Sequence, residues 1–158
     1  MKILRYILSF LFVLCIGCQS IKKDRKVAII LDESFVEMFT GKKYNLKELS
    51  KEDINKIDLL FDEKVKNTVL RKLDITDVDQ FKRKYFRQYL CYENEEGDKI
   101  VYVNGFCEVP TFFKEGDYKK LNWKKEMFDP SGGGNCYWSA EINLTKNSLP
   151  SILVNEEE

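Results

Sequence analysis

Near the end of the chain, apolar and polar residues alternate one by one over residues 136–145. Successive side chains of a β-strand point to opposite faces of the sheet, so this period of two predicts a strand with one buried face and one solvated face. Such a strand requires a sheet with a core on one side. The buried face is predicted to carry Cys136, Trp138, Ala140, Ile142 and Leu144, and the other face Tyr137, Ser139, Glu141, Asn143 and Thr145.

A first β-hairpin is predicted from residues 86–92 and 99–107, which flank the polar run 93–98. That run contains a glycine, which can supply the positive φ that a tight turn needs. A two-residue turn at its Glu-Gly step would place Cys91 opposite Tyr102.

A second hairpin is predicted to pair residues 123–128 with residues 135–145 across the Pro- and Gly-containing loop 129–134. The short apolar run 27–31 is predicted to be a strand. Residues 151–155 are predicted to add an edge strand after a proline.

A helix is predicted over residues 51–67. Ser50 and Asp53 have the spacing of a capping box, with Asp in place of the usual Glu. Residues 80–85 are predicted to form a second, short helical turn. The long helix has an apolar stripe at spacings of three and four residues, formed by Ile54, Ile57, Leu60, Phe61 and Val65.

These elements predict an α+β fold in which the long helix packs on an antiparallel sheet of two or more hairpins. Cystatin-like folds have this general shape. Because 44% of the residues are hydrophobic and 13% are aromatic, the chain can bury a core, and we expect one domain over residues 27–158.

The first 17 residues are typical of a signal peptide, with two basic residues, an apolar run over residues 6–14 and Gly17 directly before Cys18. We expect cleavage after Gly17, lipidation of Cys18 and a polar tether over residues 18–26. The lipobox match is imperfect, because Leu14 lies one position early. The alternatives are an ordinary secretory signal, an uncleaved membrane helix and a buried core segment.

At Gly17 and Cys18 the chain resembles bacterial outer-envelope lipoproteins. This resemblance implies palmitate on the protein, membrane anchoring and location in the cell envelope, at the outer membrane in a Gram-negative source. The end of the chain resembles a group of small uncharacterised secreted bacterial proteins through residues 123–126, 133–138 and 142–145. That second resemblance implies no activity.

Histidine is absent, which excludes histidine-dependent nucleophilic pairs and histidine-ligated metals. Without the signal peptide, 24 basic residues face 26 acidic ones, and this balance argues against nucleic-acid binding. The sequence also offers no cofactor-binding motif, no metal site and no identifiable catalytic residue.

Three cysteines remain in the expected mature chain besides Cys18, so at most one internal disulfide can form. In the predicted register Cys91 lies well away from Cys107, and a disulfide requires Cα atoms about 4.4–6.8 Å apart. Cys107 and Cys136 are therefore the best candidate pair.

Two functions are compatible with these features. The first is a non-enzymatic, membrane-tethered binding or accessory module with a protein or glycan partner in the envelope. The second is a hydrolase that uses carboxylates such as Asp58 and Asp62. Four aromatic residues could form a platform for a sugar or a peptide: Tyr118, Trp123, Tyr137 and Trp138. Of these, Tyr137 is the best candidate ligand contact, because it lies on the polar face of its strand.

Overall fold

The computed structural model describes residues 26–64 and 72–157. Its main element is a six-stranded mixed sheet, which confirms the predicted α+β class. The strands of this sheet are β1 (Val27–Ile30), β2 (Asn45–Leu46), β3 (Phe86–Glu93), β4 (Lys99–Phe106), β7 (Tyr137–Asn143) and β8 (Ile152–Val154). Along the sheet the order is β1-β3-β4-β7-β8, and β2 pairs with the other end of β3 on the same side as β1.

The prediction of a purely antiparallel sheet is wrong at one edge, where β1 runs parallel to β3. The physical reason is the long connection between them, which contains three helices and returns the chain to the same end of the sheet. The predicted strands at residues 27–31 and 151–155 are confirmed as β1 and β8. A separate two-stranded sheet, β5 (Thr111–Lys114) and β6 (Asp117–Lys120), was not predicted.

The first predicted hairpin is confirmed as β3 and β4, but its register is shifted by one residue. Cys91 lies opposite Val101 and not opposite Tyr102. Asn94 explains the shift, because its side chain accepts hydrogen bonds from the backbone N–H groups of Glu96 and Asp98. These bonds stabilise a five-residue turn over residues 94–98 in place of a two-residue turn.

The second predicted hairpin is wrong. Strand β7 pairs with β4 and β8, whereas residues 123–128 form a turn and a loop over the sheet. Buried Gln88 holds this loop, since its side-chain amide donates to the carbonyl oxygens of Trp123 at 2.6 Å and Glu126 at 2.7 Å. The alternation predicted for β7 is confirmed, because Trp138, Ala140 and Ile142 are all buried.

Within residues 26–64 and 72–157 the α-helices are α1 (Ser34–Thr40), α2 (Lys51–Lys64) and α3 (Val78–Lys84), and Gly134–Cys136 forms a 3-10 turn. The capping box of α2 is confirmed: the Asp53 N–H donates to Ser50 Oγ at 3.1 Å, and the Ser50 N–H donates to Asp53 Oδ2 at 2.8 Å. Residues 65–67 of the predicted helix lie outside the described residues. The helical turn predicted at 80–85 corresponds to α3.

The two faces of the sheet carry separate apolar clusters. Helices α2 and α3 cover one face, where Trp138 contacts Phe61, Phe81 and Tyr85 at ring-centroid distances of 5.2–5.8 Å. Helix α1 and the loop 123–128 cover part of the other face. The second cluster contains Ile30, Val36, Leu90, Tyr92, Ile100 and Met127.

Among residues 26–64 and 72–157, no helix has the length and apolar character required to span a bilayer. The predicted signal peptide, Cys18 and the tether up to residue 25 lie outside the described residues.

Candidate functional site: an aromatic groove on the second face of the sheet

A groove of about 420 Å³ lies on the second face of the sheet, beside the part of that face that helix α1 and the loop 123–128 cover. Its floor comes from strands β3, β4 and β7. One wall is formed by the end of α1 and the segment that leads to β2, and the other by β8 and the residues before it. Its volume lies within the range of about 300–1,000 Å³ that is typical of small-molecule sites.

Two pairs of stacked aromatic rings line this groove. Phe39 stacks on Tyr102 with ring centroids 4.8 Å apart, and Tyr44 stacks on Tyr92 at 5.3 Å with the ring planes 4° from parallel. In each pair one ring belongs to the sheet and the other to the covering segment. Stacking therefore holds the two covering rings, Phe39 and Tyr44, against the strands that form the floor of the groove.

Local backbone geometry places these covering rings. Helix α1 ends at Gly41, whose φ of 70° lies in the left-handed region that glycine adopts without strain. The chain then turns back, and Leu46 of β2 pairs with Tyr92 of β3. This return places Phe39 and Tyr44 over the same face of the hairpin.

Polar groups lie among the rings. The Tyr92 hydroxyl donates to Glu141 Oε2 at 3.0 Å, and Ser139 and Asn94 also line the groove. Burial, and then the Glu141 carboxylate, raise the pKa of Tyr92, while burial raises the pKa of Tyr102. Both phenols therefore remain protonated near neutral pH, and the single O–H of Tyr92 is directed to Glu141.

The predicted aromatic platform does not form, because the structure separates its four members. Trp138 is in the core, Trp123 packs on Phe86 and Phe106, and Tyr118 projects from the β5–β6 hairpin. Tyr137 is partly buried against Phe128 and outside the groove. The groove is lined instead by the rings of Phe39, Tyr44, Tyr92 and Tyr102. Two of these, Phe39 and Tyr44, come from residues 32–50, for which no helix or strand is predicted.

The carboxylates proposed for a hydrolase are engaged in ion pairs. Asp62 lies 2.9 Å from Lys82, and Asp58 lies 4.0 Å from Arg87. A carboxyl group that acts as a general acid usually needs a raised pKa. Four carboxyl groups, those of Asp32, Asp53, Asp77 and Asp98, have lowered pKa values, and none of the four lines the groove.

The structure joins Cys107 and Cys136 in a disulfide with their Cα atoms 5.0 Å apart. Adjacent pairing of β4 and β7 makes this possible, because the two cysteines lie next to the strand ends Phe106 and Tyr137. Cys91 is a free, buried thiol, and burial raises its pKa to about 11. It therefore stays a thiol at neutral pH and is a poor nucleophile.

No group of three or more metal-ligating side chains occurs within residues 26–64 and 72–157. No protein-family model, curated protein or solved structure matches the chain. Its function must therefore be inferred from the groove and from the sequence.

Proposed function

We propose that this chain is a non-enzymatic binding module of the bacterial envelope, anchored to a membrane by lipid on Cys18, which binds its ligand in the aromatic groove. The observation that carries the proposal is the open groove with two stacked aromatic pairs beside Ser139 and Glu141. A binding module is expected to present aromatic surface, whereas a hydrolase is expected to present converging carboxylates.

The groove suits a segment of an envelope glycan. A sugar ring has an apolar C–H face, which packs on aromatic rings, and hydroxyl groups around its edge. The Tyr102 phenol can donate a hydrogen bond to such hydroxyls, and the Glu141 carboxylate, which already accepts from Tyr92, has further lone pairs that can accept from them. This combination of apolar rings with a few polar groups is typical of small-ligand sites.

Anchoring is supported by the sequence around Gly17 and Cys18, which has the charge, apolar run and small residue of a lipoprotein signal. Several acyl chains on one residue would hold the protein on a bilayer almost permanently. In a Gram-negative source this proposal places the protein at the outer membrane.

Calorimetric titration with a tetramer of N-acetylglucosamine tests the glycan proposal. Tyr44→Ala should weaken binding about tenfold or more, because it removes one ring of a stacked pair. Tyr118→Ala is the matched control, since Tyr118 is exposed and outside the groove. Equal affinity of both variants, or binding of short peptides but no saccharide, would contradict the proposed ligand.

A further inference from the structure

The β5–β6 hairpin is an unusual surface feature because all of residues 111–120 are exposed. Phe113 and Tyr118 lie opposite each other on its two strands, with ring centroids 5.2 Å apart. Their exposed fractions are 67% and 73%. Large aromatic side chains displayed together in this way indicate a contact surface.

The hairpin lies at the end of the sheet where the described chain begins. Val27, the first residue of β1, pairs with Arg87, and the adjacent Phe86 pairs with Phe106 at the end of β4. The Cys107–Cys136 disulfide follows directly, and the hairpin starts four residues later.

The distance along the chain limits how far this end can lie from the proposed anchor. Lys26 lies eight residue steps after Cys18. A fully extended chain spans at most about 3.3–3.6 Å per residue, so this end of the sheet lies within about 29 Å of the lipidated residue. The tether therefore allows the hairpin to reach the membrane surface.

We propose that the β5–β6 hairpin docks onto the surface of the same bilayer that holds lipidated Cys18, with Phe113 and Tyr118 at the level of the head groups. The inference rests on the anchoring part of the proposed function and is independent of the groove ligand. Aromatic side chains favour the membrane interface because one part of the ring is apolar and its edge or hydroxyl is polar.

The charges around the hairpin favour anionic lipid. Residues 111–125 contain five lysines and two acidic residues. One of those acids, Glu115, is paired with Lys119 at 2.9 Å. Lysines close to a bilayer are attracted to anionic head groups, and this attraction is screened by salt.

Quenching of tryptophan by brominated lipid tests the docking. The lipidated protein is bound to vesicles of phosphatidylcholine with about one-third phosphatidylglycerol, and the signal of the parent protein is subtracted. Tyr118→Trp should be quenched at least about threefold more than Glu95→Trp, a control in the turn at the opposite end of the sheet. Because β3 has eight residues, the turn that contains Glu95 lies roughly 24 Å from the end of the sheet that carries the β5–β6 hairpin. Phe113→Trp is the second reporter if Tyr118→Trp perturbs the fold.

Flotation of the same vesicles separates the two ways in which the inference can fail. Protein that floats with the vesicles while Tyr118→Trp and Glu95→Trp are quenched equally would overturn the docking and leave the anchoring intact. Protein that does not float would overturn the anchoring and the docking that rests on it. Loss of most of the Tyr118→Trp quenching in phosphatidylcholine alone or in 1 M salt would support the role of the lysines.

Discussion

Gly105→Ala should destabilise the protein because Trp138 lies directly over this glycine. The two residues pair across β4 and β7, and Gly105 also pairs with Arg87 on its other side. A Cβ atom on residue 105 would lie 2.5 Å from Cδ2 of the indole and still closer to Cε2 and Cζ2. Favourable carbon–carbon contacts are about 3.5–4.0 Å long, so either the ring or the strand must move.

Neither can move easily. The indole is enclosed by Phe61, Phe81 and Tyr85, and Trp138 is only 1% exposed. Overpacking a core costs about 1–3 kcal/mol, and the severe overlap with Cε2 and Cζ2 places this substitution in the upper part of that range, at about 2–3 kcal/mol. Alanine regains about 0.4–1 kcal/mol by restricting the unfolded chain. We therefore expect a net loss of about 1–2.5 kcal/mol in the free energy of unfolding, measured by urea titration of the chain without residues 1–18.

A double-mutant cycle separates this steric conflict from a general intolerance of β4. In a Trp138→Leu background the six-membered ring that meets the new methyl group is gone. Gly105→Ala should then cost at least about 1 kcal/mol less than in the parent. Equal costs in both backgrounds, or a cost below about 0.5 kcal/mol in the parent, would show that the indole does not limit the space at residue 105.

Four further predictions concern the core, the anchor, the thiol and the pH dependence. Trp138→Ala should lower the free energy of unfolding by about 3–5 kcal/mol, whereas Ser139→Ala on the opposite face should change it by less than about 0.5 kcal/mol. Cys18→Ala should abolish metabolic labelling with palmitate and leave unprocessed precursor; normal labelling would disprove lipidation there. Peptide mapping of the native protein should find the predicted disulfide pair bridged, and Cys91 free but alkylated only after unfolding. Hydrogen bonds from Lys146 and then from Asn143 hold the pKa of Asp98 below its ordinary 3.8. The stabilisation by Asp98 is therefore present at neutral pH and is lost as the pH falls through the folded pKa. Asp98→Asn should be less stable than the parent at pH 7 and should lose less stability on acidification.

The parts of the fold that the sequence predicts correctly are those encoded by neighbouring residues. The capping box of Ser50 and Asp53 needs only four residues, and it occurs as predicted. The alternation in β7 likewise identifies its buried face, because the period of two is a property of the strand itself. The amphipathic stripe of α2 packs against the sheet for the same reason.

The errors concern relations between distant residues. Strand β7 pairs with β4 and not with residues 123–128, because Gln88 holds residues 123–128 as a loop. Gln88 lies 35 residues before Trp123 in the chain. The one-residue shift in the first hairpin depends on how the Asn94 side chain folds the turn. Neither interaction leaves a periodic signal in the sequence.

The groove was missed because it is assembled from segments far apart in the chain. Phe39 lies in helix α1, which was not predicted, and Tyr44 follows that helix; the two rings stack on Tyr102 and Tyr92 of the first hairpin. Tyr92 and Tyr102 share one face of the sheet only in the observed register, in which Tyr92 lies opposite Ile100, whereas the predicted register would have placed them on opposite faces. The position of Tyr137 on the polar face of β7 was predicted correctly, but the loop residue Phe128 packs against it.

Mapping of backbone amide chemical shifts during titration with the N-acetylglucosamine tetramer tests the proposed binding site most directly. We expect saturable shifts that cluster at Tyr44, Tyr102 and Glu141 and leave the β5–β6 hairpin unchanged. Saturable shifts centred elsewhere, or none with saccharide at millimolar concentration, would contradict the claim that the aromatic groove is a glycan-binding site.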